Sequence, residues 1–233
     1  MRNACKMSKA GINPFTFMSR TKLFCTAQII ALAALLIGCG KKTGNELDFG
    51  AFNNSVYTNN YFGLTVAIPA GWSIQDQEAQ RRIMALGGNM VAGEDKNMKA
   101  LMKASELQTV NLFAAFKYPL GTPVTFNPSI LALAEKVSQM PGIKRGKDYL
   151  FFTKKTLESG KMQISYPKEI YTERLGGVDF DVMDVELSLC GTMVKEKYYV
   201  AIMKSYALSF IVTFTNNEEE SSGLKILNEV RFQ

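Results

Sequence analysis

The side chains best able to do chemistry here are carboxylates, methionines and cysteines, because the 233 residues include no histidine. That absence excludes Ser-His-Asp and Cys-His nucleophile systems, histidine-bound zinc, and the side chain that titrates nearest neutral pH. The densest acidic run is Asp179, Asp181, Asp184 and Glu186. Apolar parity switches inside it: Val178, Phe180 and Val182 are even, whereas Met183, Val185, Leu187 and Leu189 are odd. A bulge at Val182-Met183 would produce the switch and set all four carboxylates on one solvent face. Oxygen ligands of this kind suit calcium. Along an extended strand, however, they do not converge, and Lys195 and Lys197 on the next strand can pair with them instead. No metal or other cofactor is therefore expected, and these four acids are the only weak candidates. Lysine or paired-carboxylate catalysis survives the lack of histidine. Yet no spaced pair stands out, Lys147, Lys154 and Lys155 look like solvated helix charges, and no catalytic residue is assigned.

A second group is apolar. Met84, Met90, Met98 and Met102 surround the glycine-rich stretch from Gly87 to Gly93. Flexible thioethers suit an adaptable groove for a peptide, lipid or small ligand; the alternative is ordinary packing between two helices. Trp72 is either a core aromatic at a strand-to-helix corner or part of the same binding surface. The glycines lack any phosphate-loop spacing.

The third group sets the address. Arg20 and Lys22 precede an apolar stretch, Leu23 to Gly38, that ends in small residues and has the grammar of a secretory signal. It ends in Leu36-Ile37-Gly38-Cys39, which resembles the lipobox of bacterial lipoproteins. The resemblance implies cleavage between Gly38 and Cys39 and lipidation of Cys39. The alternative is an uncleaved anchor; either way the domain lies outside the cytoplasm. Gly40 after the cysteine implies, by the same resemblance, the outer membrane of a Gram-negative cell, or the outer face of a single membrane otherwise. Met18 opens a more typical leader than Met1, so translation is expected to start at Met18. Five of the 27 basic residues and none of the 21 acids fall in residues 1–38, leaving 22 against 21. No basic surplus remains for nucleic acid, which is excluded as a partner. Cys5 and Cys25 lie in the leader and Cys39 carries lipid, so Cys190 is left as a lone thiol without a disulfide partner. It reads as a buried small hydrophobe or, alternatively, a reactive group.

These groups need elements to hold them. Residues 39–54 read as the lipidated cysteine plus a flexible tether, and 55–233 as one globular domain. Val56–Thr58 and Tyr61–Ile68 read as strands, broken by Pro69-Ala70-Gly71-Trp72. Asp76 caps a helix to Leu86 closed by Gly87-Gly88, and Asp95 caps another. Val110–Tyr118 is a strand. Asn127-Pro128 reads as a helix start, with Ile130, Leu133, Ala134 and Val137 on one stripe. Residues 147–158 read as helix, although Tyr149–Phe152 also suits a strand. Strands follow at about 161–166, 169–175, 178–189, 194–204 and 207–215, with a hairpin at Gly176-Gly177. Asn216 or Asn217 caps a last helix whose first turn carries Glu218, Glu219 and Glu220. The pattern predicts an α+β fold: a single antiparallel sheet of about six to seven strands flanked by helices.

The stretch from Tyr57 to Trp72, with its Pro69-x-Gly71-Trp72 corner, resembles the opening of Mog1/PsbP-like domains, and the long hairpin, acidic-capped helix and short last strand are similar to their end. The resemblance implies an α/β/α sandwich and a non-catalytic binding or assembly role. It supplies no catalytic set, and the histidine-bearing metal sites of the photosystem members have no counterpart. The expected function is a lipid-anchored envelope lipoprotein that binds an envelope protein partner; the alternatives are capture of a small apolar or lipid ligand and, further off, an unrecognised hydrolase. Oligomeric state is not readable from the sequence.

Overall fold

The computed structural model describes residues 47–160, 162–189 and 191–233. The leader, Gly38, Cys39 and Cys190 lie outside the described residues, and so do the expectations placed on them. In chain order the elements are β1 (Ala51–Asn53), β2 (Val56–Asn59), β3 (Leu64–Ala67), β4 (Ser73–Ile74), α1 (Gln77–Ala92), α2 (Lys96–Gln108), β5 (Thr109–Phe116), β6 (Ser129–Lys136), α3 (Gly146–Ser159), β7 (Ile164–Ser165), β8 (Tyr171–Leu175), β9 (Val178–Leu189), β10 (Thr192–Met203), β11 (Tyr206–Phe214), α4 (Asn217–Leu227) and β12 (Arg231–Phe232).

The fold is α+β with antiparallel pairing throughout the described strands, as the pattern predicts. The strands divide between two sheets, however, where one was expected. The main sheet runs β4-β5-β6-β11-β10-β9-β7 with β8 also on β9, and a small sheet runs β1-β2-β3-β12. The small sheet and α4 cover one face of the main sheet. Tyr57, Leu64 and Val66 from the small sheet meet Phe113, Phe180 and Phe210 from the main sheet in one buried cluster, with Ile226 and Leu227 from α4. Phe210 lies 5.7 Å from Phe180 and 6.4 Å from Phe113, centroid to centroid. The opposite face carries α3, whose Tyr149, Leu150 and Leu157 pack on Met183, Val185 and Val200, while Val91 at the end of α1 joins the same cluster.

Two helices come so close to the sheet that only glycine fits at the contact. A Cβ on Gly146 would lie 2.1 Å from the Val200 carbonyl oxygen, and one on Gly223 would lie 2.4 Å from Val212 Cγ1. These contacts dock α3 and α4 on opposite faces of β10 and β11.

Three expectations are corrected. Residues 129–136 form β6, a central strand between β5 and β11, rather than a helix. Its short run is apolar on both faces, as central strands are, and four-residue spacing cannot distinguish the two periods. Asn127 starts no helix: its side chain accepts from Tyr118 N (2.9 Å) and donates to Tyr118 O (2.8 Å), which extends the β5–β6 pairing. Helix α1 also runs through Gly87-Gly88 to Ala92 and stops at Gly93, whose φ is 53°. A Cβ on Gly88 would lie 3.5 Å from Met102 Cβ, so α2 passes close to α1 at this point. Last, the expected tether is built into the domain from Asp48 onward. Ala51–Asn53 pairs with β2, the Tyr57 hydroxyl donates to Phe49 O (2.8 Å), and Asn59 Nδ2 donates to Asp48 O (3.0 Å).

Candidate functional site

Helix α3 has two exposed sides and one buried side. Its buried stripe is Gly146, Tyr149, Leu150 and Leu157. Lys147, Phe151 and Lys155 follow one another at four-residue spacing on a different stripe, and Phe151 is 57% exposed and Phe152 40% exposed. Between this surface and the segments 139–143 and 169–170 lies an open groove of about 810 Å³. Met140, Ile143, Phe152 and Ile170 give it apolar walls, and Lys147, Lys155, Asp148 and Glu169 stand along it.

The α3 wall is held rigidly. Its N-terminus is fixed by the Lys147 N–H donating to Asp181 Oδ2 on β9 (2.7 Å). Asp148 folds back to accept from the N–H groups of Lys144 (3.1 Å) and Arg145 (2.9 Å). Those two N–H groups hold its carboxyl below the ordinary aspartate value. On the sheet side, the Tyr149 hydroxyl donates to Glu135 Oε2 (2.5 Å), and Ser105 on α2 donates to Glu135 Oε1 (2.8 Å). Burial, reinforced by Glu135, pushes the Tyr149 phenol well above its ordinary value, so it stays a neutral donor. Lys155 Nζ lies 4.9 Å from the Phe151 ring centroid, and Lys154 Nζ lies 4.3 Å from that of Tyr166. Neither Lys147 nor Lys155 is in an ion pair among the described residues.

Asp179, Asp184 and Glu186 of the acidic run are drawn into ion pairs on two different faces. The β9–β10 register is unbroken, with Val182 opposite Tyr199 and Met183 opposite Tyr198, so the expected bulge is absent. By strand alternation Asp179 and Asp181 face one side and Asp184 and Glu186 the other. The parity switch arises because the middle of β9 is buried on both faces: Phe180 and Val182 under the small sheet, Met183 and Val185 under α3. The four carboxylates therefore do not share a face, and among the described residues no cluster of acids or cysteines converges as a metal set. Asp179 pairs with Arg174 (2.9 Å) and Glu186 with Lys195 (3.4 Å). Asp184 and Lys197 form a buried pair at 3.1 Å, joined by Lys168 (2.9 Å from Asp184), by the Tyr171 hydroxyl (3.1 Å from each) and by Glu220 of α4 (3.4 Å from Lys197). Burial opposes both charges, but the hydrogen bonds win. Those from Lys168 and Lys197 hold Asp184 below its ordinary value, and those with Tyr171 and Asp184 hold Lys197 above its own. Every member is partnered, which suits a clamp between β8, β9, β10 and α4 rather than a reactive centre.

Trp72 belongs to the aromatic core, with Lys117 Nζ 5.7 Å from its centroid. Met84, Met98 and Met102 are half-buried on the α1–α2 hairpin, Met90 is exposed, and none of them lines the α3 groove. Sequence reasoning missed that groove because its lysines looked solvated and its walls come from three separate segments. A signal was present: Phe151 falls off the buried stripe of its own helix, where a large aromatic has no core to enter.

No family model matches the chain, and no curated protein matches it. Among solved structures, the chain is similar to cyanobacterial PsbP (CyanoP) from Synechocystis, at 10% identity over 85% of this chain and 99% of that one, with a TM-score of 0.47. It is similar to LpqN of Mycobacterium tuberculosis, involved in cell envelope biogenesis, at 12% identity over 72% and 82%, TM-score 0.41. It is also similar to PA94, a protein of unknown function from Pseudomonas aeruginosa, at 15% identity over 47% and 75%, TM-score 0.38. At these scores the likenesses assign neither a family nor an activity to this chain.

Proposed function

We propose that this chain is a lipid-anchored envelope lipoprotein of Mog1/PsbP-like build whose domain is a non-catalytic binding module, and that the α3 groove takes its protein partner. One observation carries this reading: Phe151 and Phe152 stand exposed along an open apolar groove whose α3 wall is tied to the sheet from behind. Exposed apolar surface of this kind, rimmed by charge, is what a docking site presents. The anchor rests on the Leu36-Ile37-Gly38-Cys39 motif, and the outer-membrane address on Gly40. With Asp48 and Phe49 already fastened to the domain, residues 40–46 reach at most about 25 Å when fully extended. An anchored domain would therefore work close to the bilayer surface, where tethering raises its local concentration against membrane partners.

The test uses the full chain in a bacterial host. Wild type is expected to be acylated and membrane-bound and Cys39→Ser to be released; equal retention of both would refute the anchor. A photo-crosslinking amino acid in place of Phe152 is expected to trap an envelope protein, whereas the same group in place of Leu107 on α2 is not. The groove also has room for a small apolar or lipid ligand. Extraction of a bound lipid with no trapped protein would favour that second reading.

A further inference from the structure

The groove also has a charge direction. Of the charged groups on its α3 wall, Asp148 is occupied by two backbone N–H groups, whereas Lys147 and Lys155 pair with no carboxylate among the described residues. They stand four residues before and after Phe151, so cation, aromatic ring and cation alternate along the wall. The carboxylate of Glu169 stands on the remaining part of the lining. A volume of about 810 Å³ holds several side chains rather than one ion. The groove is open along its length. A single acyl chain laid in it would leave much of its surface wet, whereas small-molecule sites bury most of their ligand. A peptide tolerates such exposure, because its backbone remains solvated on the open side.

We propose that the α3 groove recognises a short peptide segment of a partner protein that places a bulky apolar side chain against Phe151 and Phe152 and a carboxylate against Lys147 and Lys155. This rests on the reading of the groove as the docking surface and adds the chemistry of what docks. The apolar side chain supplies the desolvated anchor. The carboxylate supplies register and a faster on-rate, which salt weakens. Glu169 sets orientation by disfavouring an acid at the far side and accepting a basic or neutral residue there.

The test selects a random displayed-peptide library against the full chain in lipid nanodiscs, with empty nanodiscs as counter-selection. Enrichment of sequences combining Phe, Leu, Met or Trp with a nearby Asp or Glu is expected. The best peptide, synthesised with a fluorophore, should bind at least tenfold more weakly to the Lys147→Glu/Lys155→Glu double variant and should weaken as salt rises. The exposed positions of both lysines leave folding intact, which circular dichroism checks. A separate Glu169→Lys variant should bind the acidic peptide more tightly. Enriched peptides without an acid, or affinity indifferent to the charge reversal, would overturn the proposal. So would saturable binding of oleate in the groove with no peptide enriched. Crosslinking from position 152 separates the two levels of failure. A trapped envelope protein whose contacting segment carries no acid overturns the peptide chemistry but leaves the docking surface standing; no trapped protein and no enriched peptide overturns both.

Discussion

The two faces of the main sheet are built for different ends. On the small-sheet face, Tyr57, Phe113, Phe180 and Phe210 are each at most 1% exposed and stack in tilted contacts. On the helical face, α2 buries no residue fully, and Leu86, Met90 and Leu107 on the hairpin and Phe151 on α3 stay largely in water. The first face spends its aromatics on cohesion; the second buries Tyr149 but leaves Phe151 and Phe152 available. Stability and binding should therefore separate cleanly when each face is mutated.

Phe210→Ala is the sharpest way to break the comparison on the packed side. Removing a fully buried ring that touches two others should cost about 3–5 kcal/mol, read from urea unfolding of the full chain. A cost below about 1 kcal/mol would mean that this face is not the cohesive one. Lys197→Met comes next. It strips a charge partner from Asp184 and Glu220 but leaves Lys168 on Asp184, so about 3 kcal/mol is expected, at the lower end for a broken buried pair. The pH dependence has a definite sign. The lowered Asp184 contributes stability above its unfolded pKa and loses it as pH falls through its folded value; the raised Lys197 contributes below its unfolded pKa and loses it only as pH rises through its folded value. The clamp is thus complete at neutral pH. Asp184→Asn should flatten the acid limb of the stability profile, and an unchanged limb would remove Asp184 as its source.

Gly146→Ala probes the joint between the two regions. A Cβ there would lie 2.1 Å from the Val200 carbonyl, so α3 must lift from β10 at an expected cost of about 1–3 kcal/mol. Because the groove wall is α3 itself, partner binding should weaken along with stability.

What could be foreseen follows from how local each signal is. Asp76, Asp95 and Asn216 cap the helices they were expected to cap, since a side chain accepting from an N–H two or three residues on needs nothing distant. The β8–β9 hairpin at Gly176-Gly177 is local in the same way, with φ of 55° and 89°. Strand β6 was misread because Ile130, Leu133 and Ala134 satisfy a helix stripe, and only pairing with β5 and β11 decides otherwise. The second sheet was missed because β12 and β3 pair across most of the chain, with Phe232 opposite Leu64. The groove was hidden for a different reason. Its walls all fall within residues 139–170, but they come from three short segments, each unremarkable alone.

Gly87→Ala acts on the looser face with the opposite sign. Gly87 sits inside α1 with open space where a Cβ would go, so alanine should stabilise by about 0.5–1 kcal/mol through helix propensity alone. Loss of stability instead would show that α1 needs the glycine for a contact with α2 or the sheet.

Phe151→Ser should have the smallest effect on stability and is the most informative about the comparison. The ring is 57% exposed, lies off the buried stripe of α3, and has Lys155 rather than core atoms against it. Its loss should change unfolding free energy by no more than about 0.5 kcal/mol, as for surface positions generally. The same substitution removes apolar area from the groove wall, so crosslinking from position 152 should fall several-fold. A stable variant with reduced crosslinking would show that the helical face keeps its aromatics for a partner. A destabilised variant would instead make Phe151 part of the core and move the docking surface elsewhere, with the exposed Leu86, Met90 and Leu107 of the α1–α2 hairpin as the next surface to mutate.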